Sequence, residues 1–228
     1  MSEIPVIAID GPSGSGKGAI SQWLAGRLRW HLLDSGALYR LLALAAQQQA
    51  VDPADADALV GLALKMDIEF DAQGAGGVIT FLSGKDVSMA LRTEDCGRDA
   101  SRVAAIPAVR SALLDRQRAF RQPPGLVADG RDMGTVVFPD AALKIFLTAS
   151  PEERARRRHK QLNQKGISAN LAALSEEIRA RDERDQKRAV SPLKPANDAV
   201  ILDTTHLSIE QVCQTVYNAV QERKLLTV

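Results

Sequence analysis

Apolar and polar positions follow two rhythms along this chain. Short continuous apolar runs at 4–9, 30–33, 126–128, 143–148 and 199–202 predict core strands covered on both faces. Between them apolar residues recur at steps of three and four, as in Ile20, Trp23, Leu24 and Leu28, and predict helices at 17–28, 36–49, 107–120, 151–164, 170–188 and 208–222. Ser150, Pro151 and Glu153 read as a cap, first-turn proline and capping-box acid, and Ser208 with Gln211 repeats the arrangement without the proline. Strands alternating with helices specify an α/β fold with a parallel sheet flanked by helices. The stretch 66–91 departs from this, because runs at 67–70 and 78–82 alternate in polarity and are separated by GAGG and SGKD turns. It predicts a small antiparallel insert that interrupts the sheet in sequence and projects as a subdomain.

Composition narrows the class without naming it. With 228 residues, 45% hydrophobic and 25% charged, the chain is an ordinary globular protein able to bury a sizeable core. A net charge of +1 argues against a general nucleic-acid binder. No apolar stretch reaches membrane-spanning length, and the start MSEIPVIAID reads as neither signal peptide nor anchor, so no membrane association and a cytoplasmic location are expected. Cys213 lies on the apolar stripe of Ile209, Val212, Val216 and Val220, Cys96 in a polar segment, and neither is assigned metal or redox chemistry.

The sharpest chemical signal follows the first strand. Residues 11–18 read GPSGSGKG, so Gly11, Gly16 and Lys17 satisfy GxxxxGK. Glycines let backbone N–H groups turn inward around phosphate oxygens, and Lys17 brings a cation to the β and γ phosphates. The positive end of the next helix completes such an anion site. Gly18 and Ala19 then stand where a hydroxyl normally helps hold magnesium or a phosphate oxygen.

Ligands of doubly wound sheets sit outside the carboxyl ends of the strands, and polar residues crowd there. Asp34, Ser35, Tyr39 and Arg40 follow the second strand, and DGRDMG follows Ala128. Asp129 in that turn can orient magnesium-bound water, or pair locally with Arg131. On the helix at 170–188 the stripe of Leu171, Leu174 and Ile178 continues into Arg181, Asp185 and Arg188. A surface ion-pair ladder has the same spacing, but the inward stripe favours a site. Arg154, Arg156, Arg157 and Arg158, followed by the polar stretch 161–168, read as a lid whose forked donors reach phosphate oxygens while closure excludes water. A solvated face or an RNA-binding patch uses the same residue type, against which stand the near-neutral charge and scarce aromatics.

The segments IDGPSGSGKG, LLDSGALYR, ASRVAAIPAVR, ADGRDMGTVVFPDA, SPEERARRR, RDERDQKRAVSPL and VILDTTHLSIEQV together resemble the bacterial cytidylate kinases (CMP kinases) of the nucleoside monophosphate kinase group, nearly end to end. The resemblance implies a single P-loop kinase domain over 1–228: a core at 1–62, 107–150 and 189–228, a monophosphate-binding insert at 63–106, and a helical lid with flanking helices at 151–188. It implies magnesium-dependent transfer of the ATP γ-phosphoryl group to CMP or dCMP, directly between two bound nucleotides. Gly11, Pro12, Ser13, Gly14, Ser15, Gly16, Lys17, Gly18 and Ala19 would hold ATP, while Ser35, Arg40, Arg131 and Arg188 meet the acceptor or its phosphate. Arg181 and Asp185 would approach the ribose, and Ser101, Arg110 and Asp132 the cytosine. Lys17, Arg40, Arg131 and Arg188, with lid arginines among Arg154, Arg157 and Arg158, would neutralise the repulsion between two phosphates. A carboxylate at Asp132 accepts from the cytosine amino group and repels the uracil carbonyl. The family pattern has GKGT where this chain has Ala19. Two other readings stand beside it: a UMP, shikimate or other small-molecule kinase of this fold, against which the large insert with DGRDMG argues, and a non-catalytic nucleotide-binding module. A monomer is expected.

Overall fold

The computed structural model describes residues 4–71, 79–164, 166 and 168–225. In chain order the elements are β1 (Val6–Asp10), α1 (Lys17–Leu28), β2 (His31–Asp34), α2 (Ser35–Gln48), α3 (Ala56–Lys65), β3 (Ile68–Asp71), β4 (Ile79–Leu82) and β5 (Lys85–Asp86). There follow α4 (Glu94–Val103), α5 (Pro107–Arg118), β6 (Leu126–Gly130), β7 (Leu143–Thr148), α6 (Pro151–Gln164), α7 (Leu171–Gln186), β8 (Val200–Asp203) and α8 (Ile209–Glu222). By its internal contacts the chain divides into two compact units, one running to Asp34 and resuming at Arg118, the other from Ser35 to Gln117.

The first unit is built on a five-stranded parallel sheet of order β2-β6-β1-β7-β8. β1 sits at its centre because VIAID is apolar on both faces, and every residue of β1 and β6 is buried. The exceptions to that apolarity, Asp10 and Asp129, stand at the carboxyl ends, where the register sets Asp10 opposite Gly130 and Asp34 opposite Asp129. Ile20 and Leu24 of α1 and Val212, Val216 and Val220 of α8 join Ile7, Ile9 and Leu147 in one core, so truncating fully buried Leu24 costs about 2–5 kcal/mol. Two-sided coverage, expected of every strand, does not reach the β8 edge: Val200 and Ile201 are 39% and 62% exposed, because an edge strand has a neighbour on one side alone.

The caps of α6 and α8 differ. Ser208 and Gln211 form a complete capping box on α8. At α6 the Ser150 hydroxyl accepts the Glu153 N–H at 3.2 Å, but the Glu153 carboxylate pairs with Arg156 and Arg157 and the Ser150 N–H donates to the Thr205 hydroxyl. The box expected there is therefore only half made.

The second unit holds α2, α3, α4, most of α5 and a three-stranded antiparallel sheet of order β3-β4-β5. That sheet is the expected insert; the GAGG turn lies outside the described residues. α2 packs on α3 and α4 and buries Leu38, Leu41 and Leu42. The unit is larger than the stretch 63–106, since its contacts take in α2 and α5 as well. Helices α3 and α4 were not anticipated; α3 starts on an Asp55 cap and α4 on a Thr93 cap. Among the described residues no helix is long and apolar enough to cross a membrane.

Candidate active site

The phosphate loop takes its shape from glycines that nothing else could replace. Gly11 has φ 148°, and a Cβ there would lie 2.0 Å from the Leu147 carbonyl oxygen. Gly14 and Gly16 also hold positive φ, at 78° and 95°, a backbone turn that residues other than glycine adopt only under strain. The Ser15 hydroxyl and the Lys17 ammonium both donate to the Pro12 carbonyl, at 3.0 and 2.8 Å. α1 begins without a side-chain cap and without an acid in its first turn. Its leading N–H groups and positive dipole end are thereby left for an anion. Gly18 and Ala19 are exposed here, with no hydroxyl between them.

Lys17 and Asp129 perturb each other. Burial pulls the Lys17 pKa down to about 7, Arg131 adds to the shift, and Asp129 opposes it. Burial pushes Asp129 up to about 7 against the pull of Lys17. Asp129 stands beside the loop, its Oδ2 lying 3.5 Å from where a Cβ on Gly18 would be. An anion arriving at the loop favours the charged ammonium.

The stripe on α7 ends in a buried ionic chain. Arg131 Nε donates to Asp185 Oδ2 at 3.0 Å, and Arg188 Nη2 to Asp185 Oδ1 at 2.5 Å. The Asp185 and Arg188 side chains are each 4% exposed, which excludes the surface-ladder alternative. Burial raises the Asp185 pKa, but Arg131 and then Arg188 outweigh it and hold the carboxyl below its ordinary value. Arg188 Nε is buried with no hydrogen-bond partner among the described residues, so part of the fork remains to be satisfied. Arg181 adds its charge to both Asp185 and Lys17. Asp132 is buried in the turn after β6.

Sequence reasoning passed over Asp10. Its two carboxylate oxygens accept the N–H groups of Met133 and Gly134, each at 2.8 Å. Burial raises its pKa to about 6, although those two bonds pull the other way. The available signal was an acid closing an otherwise apolar buried strand, a position that demands partners.

The arginines of α6 diverge. Arg154, grouped by sequence with the lid, is 2% exposed and donates to the carbonyls of Ala149 and Ser13 at 2.9 and 3.0 Å. Its fork also pairs with Asp182 of α7, so one side chain ties both helices to the back of the loop. Arg157 donates to the hydroxyl and carbonyl of Thr204, and the Thr204 hydroxyl lies 3.3 Å from the Ser15 carbonyl. Arg158 runs along α6 toward Gln161. Neither Asp182 nor Thr204 was anticipated, since nothing in their local spacing points to these partners.

In the second unit, Ser35 is buried at the start of α2. Arg40 Nη1 donates to the Leu91 and Thr93 carbonyls at 2.6 and 3.3 Å. Arg110 donates to the Ala104 carbonyl at 3.1 Å and lies over the Tyr39 ring, 5.5 Å from its centroid. Ser101 Oγ on α4 is buried with no partner among the described residues.

A family model described as Cytidylate kinase matches residues 7–222. The chain is 61% identical over 226 residues to a cytidylate kinase of Stutzerimonas stutzeri, covering 99% of each. It is 62% identical over 214 residues to a cytidylate kinase of Pseudomonas aeruginosa, with 93% of each covered, and 61% identical over 220 residues to that of Pseudomonas savastanoi pv. phaseolicola, with 96% of each covered. Matches of this length reach from the first core strand to the last helix and take in both compact units, and on that ground the chain belongs to the cytidylate kinase family.

Proposed function

We propose that the protein transfers the γ-phosphoryl group of ATP to CMP and dCMP, directly between two bound nucleotides. The observation that carries this reading is the buried chain of Arg131, Asp185 and Arg188, which fixes two guanidiniums in a unit that also holds Lys17 and the phosphate loop. Phosphoryl transfer needs no covalent enzyme intermediate; it needs two phosphates brought into line and their repulsion neutralised. The loop N–H groups, the α1 terminus and Lys17 hold the donor. Arg131 and Arg188 meet the acceptor phosphate, Arg181 and Asp185 its ribose, and Asp132 selects cytosine by accepting from the amino group that uracil lacks. In the second unit Ser35, Arg40, Ser101 and Arg110 are assigned to the acceptor, and the Ser101 hydroxyl, without a partner among the described residues, supports this because a buried polar atom left so is rare. The relatives' shared name, cytidylate kinase, supports CMP over other acceptors.

Magnesium fits the donor set as a phosphate-held ion rather than a caged one. Among the described residues no group of three or more His, Cys, Asp or Glu could hold a metal, and magnesium in nucleotide sites keeps waters and binds through one or two carboxylates plus phosphates. Asp129, beside Gly18, would hold it through water; once bound it neutralises charge shared by the two phosphate groups. With Ala19 the loop contributes backbone groups alone at the position of the usual hydroxyl. Losing one hydrogen bond to a charged group costs roughly 1.5–3 kcal/mol, less where water substitutes.

The test is a coupled ADP-release assay with CMP, dCMP, UMP and AMP. CMP and dCMP should be phosphorylated well ahead of the other two. ATP binding without ADP release from any acceptor would leave a nucleotide-binding module, and preference for UMP would move the assignment to another kinase of this fold.

A further inference from the structure

Asp10 ends β1 one residue before the phosphate loop, yet neither of its oxygens faces a ligand role. Both are committed: Oδ1 accepts the Met133 N–H and Oδ2 the Gly134 N–H, and the residue is 5% exposed. These two amides belong to the residues directly after Asp132. The carbonyl of Asp132 in turn accepts the N–H groups of Val136 and Val137, at 2.9 and 3.2 Å, within the short π-helical turn Met133–Val137. The peptide that joins Asp132 to Met133 is therefore held at both its carbonyl and its N–H. Bonds from backbone N–H to a buried carboxylate are of the stronger, charge-assisted kind, and one oxygen per amide leaves the turn little freedom.

We propose that Asp10 is a positioning residue for acceptor choice: by clamping the Met133 and Gly134 amides it sets where Asp132 presents its carboxylate, and so governs discrimination between cytosine and uracil monophosphates. The proposal rests on the reading of Asp132 as the group that meets the base. Asparagine at position 10 keeps the shape but sets an NH2 against one of the two amides, replacing an accepted bond with a donor facing a donor. A purely structural Asp10 would weaken both acceptors alike; a positioning one changes their ratio.

The experiment measures kcat/KM for CMP and for UMP, and KM for ATP, in the full chain and in Asp10→Asn, Asp132→Ala and the double variant. Asp132→Ala should lower the CMP-to-UMP ratio about tenfold, Asp10→Asn about fivefold, and the double variant no further than Asp132→Ala alone, since both act through one contact. KM for ATP should move less in Asp10→Asn than KM for CMP. An unchanged ratio in Asp132→Ala rejects the base-reading role itself. An eroded ratio in Asp132→Ala with an unchanged one in Asp10→Asn, or losses that multiply in the double variant, rejects the role of Asp10 and leaves that of Asp132 standing. Should Asp10→Asn not fold, amide exchange in the unaltered protein decides: protection of the Met133 and Gly134 N–H groups equal to that of β1 supports the clamp, and rapid exchange of either overturns it.

Discussion

The two compact units differ in the partners of their inward arginines, although both carry exposed ion pairs. In the sheet unit Arg131, Arg154, Asp182, Asp185 and Arg188 lie in the interior or close to it and are joined carboxylate to guanidinium. In the unit from Ser35 to Gln117 the pairs Arg98–Asp95 and Arg102–Asp99 stand in solvent, while Arg40 donates to the backbone carbonyls of Leu91 and Thr93. Buried ion pairs carry a desolvation cost that is recovered only with complete hydrogen bonding, so their geometry is fixed before any nucleotide arrives. A guanidinium on a neutral carbonyl is exchangeable, because a phosphate is the better acceptor. One half of the molecule is preorganised and the other is adjustable.

Breaking the preorganised half should give the largest effect. Asp185→Ala leaves Arg131 and Arg188 buried without their carboxylate and should cost about 3–5 kcal/mol in urea unfolding. Acid offers a second view of the same contact. The depressed folded pKa of Asp185 means that its stabilisation is fully present above the ordinary value of 3.8 and is lost as pH falls below that through the folded value. Unfolding midpoints should drop across this window in the unaltered protein and drop less in Asp185→Asn; equal drops would remove Asp185 from the account. Next in size, Arg188→Ala should slow turnover by about 100-fold or more, the scale of removing one preorganised donor. It should still fold, since Arg131 continues to satisfy Asp185. Normal turnover would mean that the ionic chain serves stability alone.

The adjustable half should respond in the reverse sense. Ser101→Ala removes a hydroxyl that has no partner among the described residues, so the melting temperature should stay level while kcat/KM for CMP falls roughly three- to tenfold. A clear loss of stability would show the hydroxyl already satisfied and would erase the contrast. Smallest of all, Asp95→Ala should change stability by less than about 1 kcal/mol and leave turnover unchanged, because its pair with Arg98 is 78% and 49% exposed.

What could be read in advance follows from distance along the chain. Phosphate binding by a loop needs contiguous residues, so GPSGSGKG and the limits of α1 at 17–28 were legible at once. The start of α6 was legible from its cap and proline. α4 was not, because its buried side is made of Cys96, Gly97, Ala100, Ser101 and Val103, mostly small residues that leave no strong apolar stripe. α3 was missed although Asp55 caps it and Leu59 and Ala63 are its buried positions. The partners of Asp10 lie 123 and 124 residues away and that of Arg154 28 residues away, separations at which no local rhythm carries information. Charge pairing across a fold is a tertiary fact, and only the demand for a partner shows in the sequence.

The Lys17 ammonium resting on the Pro12 carbonyl bears on how a spent nucleotide departs. The loop carries a neutral acceptor of its own, the Pro12 carbonyl 2.8 Å from the ammonium, in the place of a phosphate oxygen. Under the proposed reaction, a donor phosphate must draw the ammonium off that carbonyl, and the bond to the carbonyl is regained when the spent nucleotide leaves. A resting place inside the loop thus favours quick exchange over tight retention, which suits a catalyst that must empty and refill with every cycle.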